Sequence, residues 1–496
     1  MHDSVWGTLS LDPWESTLLE LSVFQRLRGL RQTGFAYLTY PTAEHSRFQH
    51  TLGVMEAASR IFDSLQRRIN DGGLSEKGLS ERADNRVFKR RAHNVARWRM
   101  LLRLAALVHD IGHSVFSHSS ERVYALIKPF PELMAGFQGG NAKRPGAAEV
   151  MVYLLVTSPE WRKLVDNLWN KATQSPKPPT ADEWERIGRW VLGQETARDL
   201  KFLADIISGP FDADKLDYVF RDGYVSGIPV GYDLMRLIAT ICVDPQEDKE
   251  AKKDLWRLTL SMRGINALEQ LVMGRLVLNS YLYHHHKCRA AECAFERTLA
   301  REYLAKKTVL GRKRVWDLFG LQDADTYEFS KGHSRNAKEI RNLYNRRLRV
   351  RVVEFRGEDV VQPTSQRASF GFTKLTEFAS IASWDRYEAL LAIEDRIARK
   401  AGLAIGTVIV DVPKSPDYAD LENVLLPGRR GQAGELPANV LTYRGWISAY
   451  ASHRSYVRVF APRGQSTENK VWNAAKEVFF KDFGLTLPEM ARVAHR

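Results

Sequence analysis

Apolar residues recur at helical spacing through the first two thirds of the chain. The run LLRLAALVHDIGH (101–113) predicts a buried helix ending at Gly112, and SVFSHSSERVYALI restarts a second one. AAEVMVYLLV (147–156) predicts another helix, and the stretch 265–305 predicts a single long amphipathic one. SPKPPTADEWERIGRWVL (175–192) reads as a Pro-rich loop feeding a helix, with Thr180 or Asp182 as its cap. Strand signals come late. RRLRVRVVEF (346–355), GTVIVDVP (406–413) and SYVRVFAP (455–462) are β-branched, roughly alternating runs bounded by Gly or Pro. The fold class that follows is mainly α: a helical core over 1–330 and a smaller α+β lobe over 331–496, with no internal repeat.

Composition narrows the picture without changing it. At 496 residues the chain exceeds what one compact core holds. Its 44% hydrophobic and 27% charged residues exclude wholesale disorder, and 33 Gly with 19 Pro are too few for a fibrous protein. Three cysteines, Cys242, Cys288 and Cys293, make no disulfide framework. The opening MHDSVWGTLSLDPWE lacks the basic-then-apolar layout of a signal peptide, and no run of about 18 apolar residues appears. A cytoplasmic protein with no membrane partner is expected. The net charge of +14 points to an anionic partner, whether nucleic acid, nucleotides or a lipid surface, with single-stranded nucleic acid as one candidate. Two Arg-rich segments, 81–100 and 334–351, are either solvated faces or phosphate sites.

The chemistry lies in histidines and aspartates. HSRFQH supplies His45 and His50, LVHDIGHSVFSH supplies His109, Asp110, His113 and His118, and FDADKLDYVFRD supplies Asp212, Asp214, Asp217 and Asp222. Adjacent His109 and Asp110 offer a nitrogen and an oxygen to one ion, with His50 and Asp214 arriving from other helices. A His/His/Asp/Asp set suits Mn, Fe, Mg or Zn and leaves positions open for water and substrate. His113, four residues after His109, faces the same cavity if the helix continues.

This ordered set resembles the HD-domain deoxynucleoside triphosphate triphosphohydrolases, bacterial and vertebrate. FQRLRGLRQTGFAYLTYPTAEHSRFQHTLGVMEAA (24–58), HDIGHSVFSH (109–118), DADKLDYVFRD (212–222) and the helix from Arg275 to Glu292 carry the resemblance. It covers residues 1–310 strongly and the later strands weakly. No sterile-alpha-motif domain is expected, because the HD body begins at residue 1. The resemblance implies an HD-domain helical core with the metal on His50, His109, Asp110 and Asp214. Arg47, Lys215, Tyr218 and Arg275 would hold the triphosphate, which brings its own Mg. Asp222, Tyr283 and Gln32 would read the deoxyribose, the ring crowding the 2′ position.

The implied reaction is hydrolysis at the α-phosphorus by a water acidified by the ion, releasing deoxynucleoside and inorganic triphosphate. His113 and His118 are the candidate proton donors, and Asp212 orients the metal ligands. One departure stands out. The His–Glu pair that follows the HD motif in the vertebrate enzyme is absent from KRPGAAEVMVY, where Glu149 is the nearest carboxylate. The resemblance further implies a homo-oligomer controlled by a nucleotide effector, with Asp3 at the start of a regulatory segment, and a role in phage defence. Two other readings remain: an HD phosphodiesterase or nuclease acting on nucleic acid or a signalling nucleotide, and a nucleotide-sensing binding protein with an attenuated HD site.

Overall fold

The computed structural model describes residues 1–70, 94–137, 145–170, 176–195, 197–248, 253–360, 366–381, 383–413, 425–426, 434–435 and 456–493. Of the first Arg-rich segment, 81–93 lie outside the described residues, as does Ser175 of the Pro-rich loop. The fold is mainly α, as the helical periodicity predicts. Helices Arg47–Asn70 and Val95–Val108 pack side by side, and Ala213–Ser226 packs against the first of them. Their apolar faces form a core that runs from Trp6 through Val54, Leu104 and Leu216 to Leu278. Thr180, not Asp182, caps the helix Ala181–Val191: its side chain accepts from the Glu183 N–H while Glu183 reaches back to the Thr180 amide.

Three local outcomes differ from the periodicity. The buried helix stops at Val108, four residues before Gly112, and a tight turn carries Asp110 and His113. Gly112 sits in that turn because another element passes close: a Cβ there would come within 2.1 Å of the Ala148 carbonyl oxygen. The long helix 265–305 is two helices, Ile265–Leu278 and His286–Lys306, separated by a π-helical turn, Asn279–Tyr283. Apolar spacing cannot register such a widening, which commonly marks a functional position. An antiparallel hairpin, Ile241–Asp248 with Lys253–Leu260, was not anticipated.

Late in the chain, strands Val350–Phe355, Val457–Ala461 and Ile409–Asp411 form an antiparallel sheet with the second at its centre. Helices Trp384–Lys400 and Gln465–Phe483 pack together beside it over a separate apolar cluster. A further cluster links Phe35, Phe116 and Phe295 to Ile409 and Phe460, tying the helical core to the sheet. Among the described residues no helix is long and apolar enough to cross a membrane.

Candidate metal centre

Three helices converge on one point. His50 comes from Arg47–Asn70, His109 caps the end of Val95–Val108, and Asp214 lies in the first turn of Ala213–Ser226. One ligand atom from each lies within 4.8 Å of the others. Asp110 stands beside them, its Oδ2 3.9 Å from His50 Nε2 and its Oδ1 3.5 Å from His109 Nε2.

The donor atoms are prepared for a cation. His109 Nδ1–H donates to the Ala106 carbonyl at 2.6 Å, so Nε2 carries the lone pair, and that buried atom makes no hydrogen bond among the described residues. His50 Nδ1–H donates to Asp217 Oδ2 at 2.8 Å, turning Nε2 toward Asp214 Oδ1 at 3.0 Å. Burial would lower the His50 pKa, yet Asp214 and Asp217 raise it to about 10. The site therefore demands positive charge between Nε2 and Asp214, which a divalent ion supplies better than a proton. Asp110 follows the same logic. Burial opposes its ionisation, but Arg47, His109 and His113 hold its carboxyl well below the usual range. The residues present thus fit a divalent metal.

A buried relay fixes His50 from behind. Asp217 also accepts from Trp6 Nε1 at 2.6 Å and from Arg221 Nε and Nη2 at 2.8 Å each. Arg221 reaches on to Asp3 at 2.8 Å, so Asp3 is engaged in this relay through an ion pair. Gly53 permits the approach, since a Cβ there would meet Asp217 Oδ1 at 1.9 Å. Sequence reasoning assigned no role to Asp217, Arg221 or Trp6. The i, i+4 spacing of Asp217 and Arg221 was the only local signal.

Beside the metal donors opens a cavity of about 530 Å³. Gln32, Arg47, His109, Asp110, His113, His118, Asp212, Asp214, Lys215, Tyr218, Asp222, Arg275 and Tyr283 all line it, leaving only His50 of the expected site residues behind its wall. Arg47 donates to Asp110 Oδ2 at 2.6 Å and to Ser117 Oγ at 2.7 Å, while its buried Nη2 makes no hydrogen bond among the described residues. Lys215 Nζ contacts Asp212 Oδ2 at 2.6 Å, and Asp212 Oδ1 caps the Lys215 amide. Asp212 thus orients a cation and not a metal ligand. Burial, only partly offset by Lys215, raises its pKa to about 6. Asp222 is gripped by His45 Nε2 at 2.7 Å and by the Tyr283 hydroxyl at 2.6 Å. Burial and Asp222 keep the Tyr283 phenol protonated.

A His–Glu contact lies at the HD turn itself. Glu121, on the helix His118–Tyr124, places Oε2 3.0 Å from His118 Nδ1 and 3.9 Å from His113 Nδ1. Burial would raise its carboxyl, but His118 pulls the pKa down to about 2. Glu149 also lines the cavity, while its Oε2 caps its own helix through the Gly146 amide. The turn bearing these histidines is strained: Phe116 and Ser117 have φ of 50° and 55°. Asp323 holds it, accepting from the Phe116 amide at 2.7 Å and from the Arg31 amide at 3.0 Å, beside Gln32. Arg26 adds bonds to the carbonyls of Ile111 and His113. Asp323→Ala orphans one buried and one partly buried amide and should destabilise the fold by about 2–4 kcal/mol. A thermal melt reads this loss; an unchanged melting temperature would remove Asp323 from the support of the turn.

Imidazole and carboxylate donors from separate helices, backed by carboxylates and opening on a cation-lined cavity, define a candidate metal centre. Family comparison agrees: the HD domain matches residues 47–138 and the HD associated region matches residues 232–430. The chain therefore carries an HD domain, a domain that implies divalent-metal binding. It is similar to an uncharacterized protein of Methanocaldococcus jannaschii, 26% identical over 348 residues, which are 69% of this chain and 58% of that one. It is also similar to the deoxynucleoside triphosphate triphosphohydrolase SAMHD1 of Bos taurus, 27% identical over 257 residues, 49% of this chain and 38% of the relative. The chain spans about half the length of the curated relatives it matches. A hypothetical protein from Aquifex aeolicus shares the fold in its crystal structure, with a TM-score of 0.60 at 19% identity over 96% of this chain and 98% of the other.

Proposed function

We propose that this protein is a dNTP triphosphohydrolase, converting a dNTP to the deoxynucleoside and inorganic triphosphate. One observation carries the reading: three of the four metal donors (His109, Asp110 and Asp214), three cationic side chains and the Asp222–Tyr283 pair line a single cavity of about 530 Å³. That volume suits a nucleotide-sized ligand.

His50, His109, Asp110 and Asp214 would hold a divalent ion, which, with Mg accompanying the triphosphate, would neutralise phosphate charge and lower the pKa of water. The chain's own groups do the rest. Arg47, Lys215 and Arg275 oppose the triphosphate charge, and the Tyr218 hydroxyl donates to its oxygens. Asp222, held on both sides, accepts from the 3′-hydroxyl, while the Tyr283 ring occupies the space a 2′-hydroxyl needs. Gln32 lies at the same wall. His118, backed by Glu121, delivers a proton to the leaving oxygen, with His113 beside it. Nucleotide control, homo-oligomer formation and a part in phage defence by lowering the deoxynucleotide pool belong to this proposal.

Purified protein incubated with each dNTP and NTP, plus Mn or Mg, should release deoxynucleoside and triphosphate from dNTPs. Cleavage of single-stranded nucleic acid without triphosphate release would favour the nuclease reading, and binding without turnover the sensor reading. Tyr283→Ala should shrink the preference for dNTP over NTP by roughly tenfold or more. Specificity constants for a matched dNTP and NTP check this, and an unaltered ratio would remove Tyr283 from sugar selection.

A further inference from the structure

A second group of metal-type donors stands beside Asp110 and shares no donor residue with the first. His113, His118 and Glu121 place one ligand atom each within 4.8 Å of one another. Asp110 Oδ1 lies 3.3 Å from His113 Nε2, which fixes the proton on that nitrogen and leaves Nδ1 as a lone pair. This buried Nδ1 makes no hydrogen bond among the described residues. It faces Glu121 Oε2 at 3.9 Å, two acceptors with nothing positive between them. A proton on His118 Nδ1 satisfies Glu121 Oε2 at 3.0 Å but leaves His113 Nδ1 bare. A cation satisfies all three.

We propose that His113 Nδ1, His118 Nδ1 and Glu121 Oε2 form a second divalent-cation site, selective for Zn2+, next to the HD centre. Two imidazoles and one carboxylate suit a borderline ion and leave a fourth, tetrahedral position for water. Bonds of about 2.1 Å need donors roughly 3.4 Å apart, so the 3.9 Å gap between His113 and Glu121 must close and the 3.0 Å gap between His118 and Glu121 must open, each by about half an ångström. His118 can make the second move, being 74% exposed, whereas Glu121 is held by the Ala148 amide at 3.1 Å. The Asp110 carboxylate behind His113 repeats the carboxylate–histidine arrangement that orients metal-binding imidazoles. Occupancy does not depend on what the cavity hydrolyses. Its consequence does rest on the proposed function: Zn2+ here captures His118 as a ligand and withdraws it from proton transfer, so excess Zn2+ inhibits enzyme already charged at the HD centre.

The test is metal stoichiometry by calorimetry and elemental analysis, with Zn2+ as the probe. The wild type should bind two Zn2+ per chain, and the double variant His50→Ala/Asp214→Ala should bind one. Adding His118→Ala and Glu121→Gln to that double variant should leave none. His118→Ala with Glu121→Gln alone should keep one, and His118→Ala, altering an exposed side chain, provides the check should the burial of Glu121 compromise folding. A single Zn2+ on the wild type, or two on the His118→Ala/Glu121→Gln protein, would overturn the second site. Failure of the dNTP reading would show differently, as absent triphosphate release with two Zn2+ still bound.

Discussion

Asp214→Ala should lower turnover by about a thousandfold or more and remove the HD-centre metal, with the fold retained. Electrostatic stabilisation by a bound ion is worth several kcal/mol, and each 1.36 kcal/mol is about tenfold in rate. Asp214 is the cleanest position for this experiment because its side chain is 39% exposed, so its loss opens no buried void. His50→Ala should cost as much activity. Asp110→Ala should too, but it also strands the buried Arg47 guanidinium and will melt earlier. Metal analysis alongside steady-state rates checks the set. Native-rate hydrolysis by the Asp214 variant would contradict the ligand assignment.

Arg221→Leu should be the most destabilising single change near the site. It leaves Asp3 and Asp217 as buried carboxylates without their guanidinium partner, at a cost of about 3–5 kcal/mol. Freed of its anchor, Asp217 no longer fixes the tautomer and direction of His50, and metal affinity should fall by roughly 10–100-fold. Thermal melting and metal titration read the two effects separately. An Arg221→Leu protein with native melting temperature and affinity would show the relay to be idle. The pH dependence follows from the same groups. Burial opposes ionisation of Asp217 and Asp214, but Arg221 and His50 for the first, and His50 for the second, depress both carboxyls, Asp214 to about 2. Their stabilisation is present above the unfolded carboxyl pKa of about 3.9 and is lost as pH falls through the folded values.

The candidate metal donors stand out in the sequence because they are compressed into short runs: HSRFQH, HDIGH and DADKLD each carry a candidate at a spacing few other demands produce. The helical core was legible because its apolar stripes are long. What escaped notice depends on partners distant along the chain. Asp3 meets Arg221 across 218 positions, and Asp323 meets the Phe116 amide across 207. Neither pairing leaves a periodic trace. Glu121 lay three residues from His118, but a carboxylate at that spacing is ordinary on any helix surface, and only its burial sets it apart. The π-turn at Asn279–Tyr283 was invisible for another reason. One extra residue in a turn leaves the apolar spacing on either side intact while swinging Tyr283 into the cavity against Asp222.

Hydrolysis of a dNTP in 18O-labelled water tests the central claim most directly, since it reports which bond breaks. Attack at the α-phosphorus predicts one 18O in the released inorganic triphosphate and none in the deoxynucleoside. Label in the deoxynucleoside, label in a nucleoside monophosphate or pyrophosphate, or no release of triphosphate at all, would contradict it.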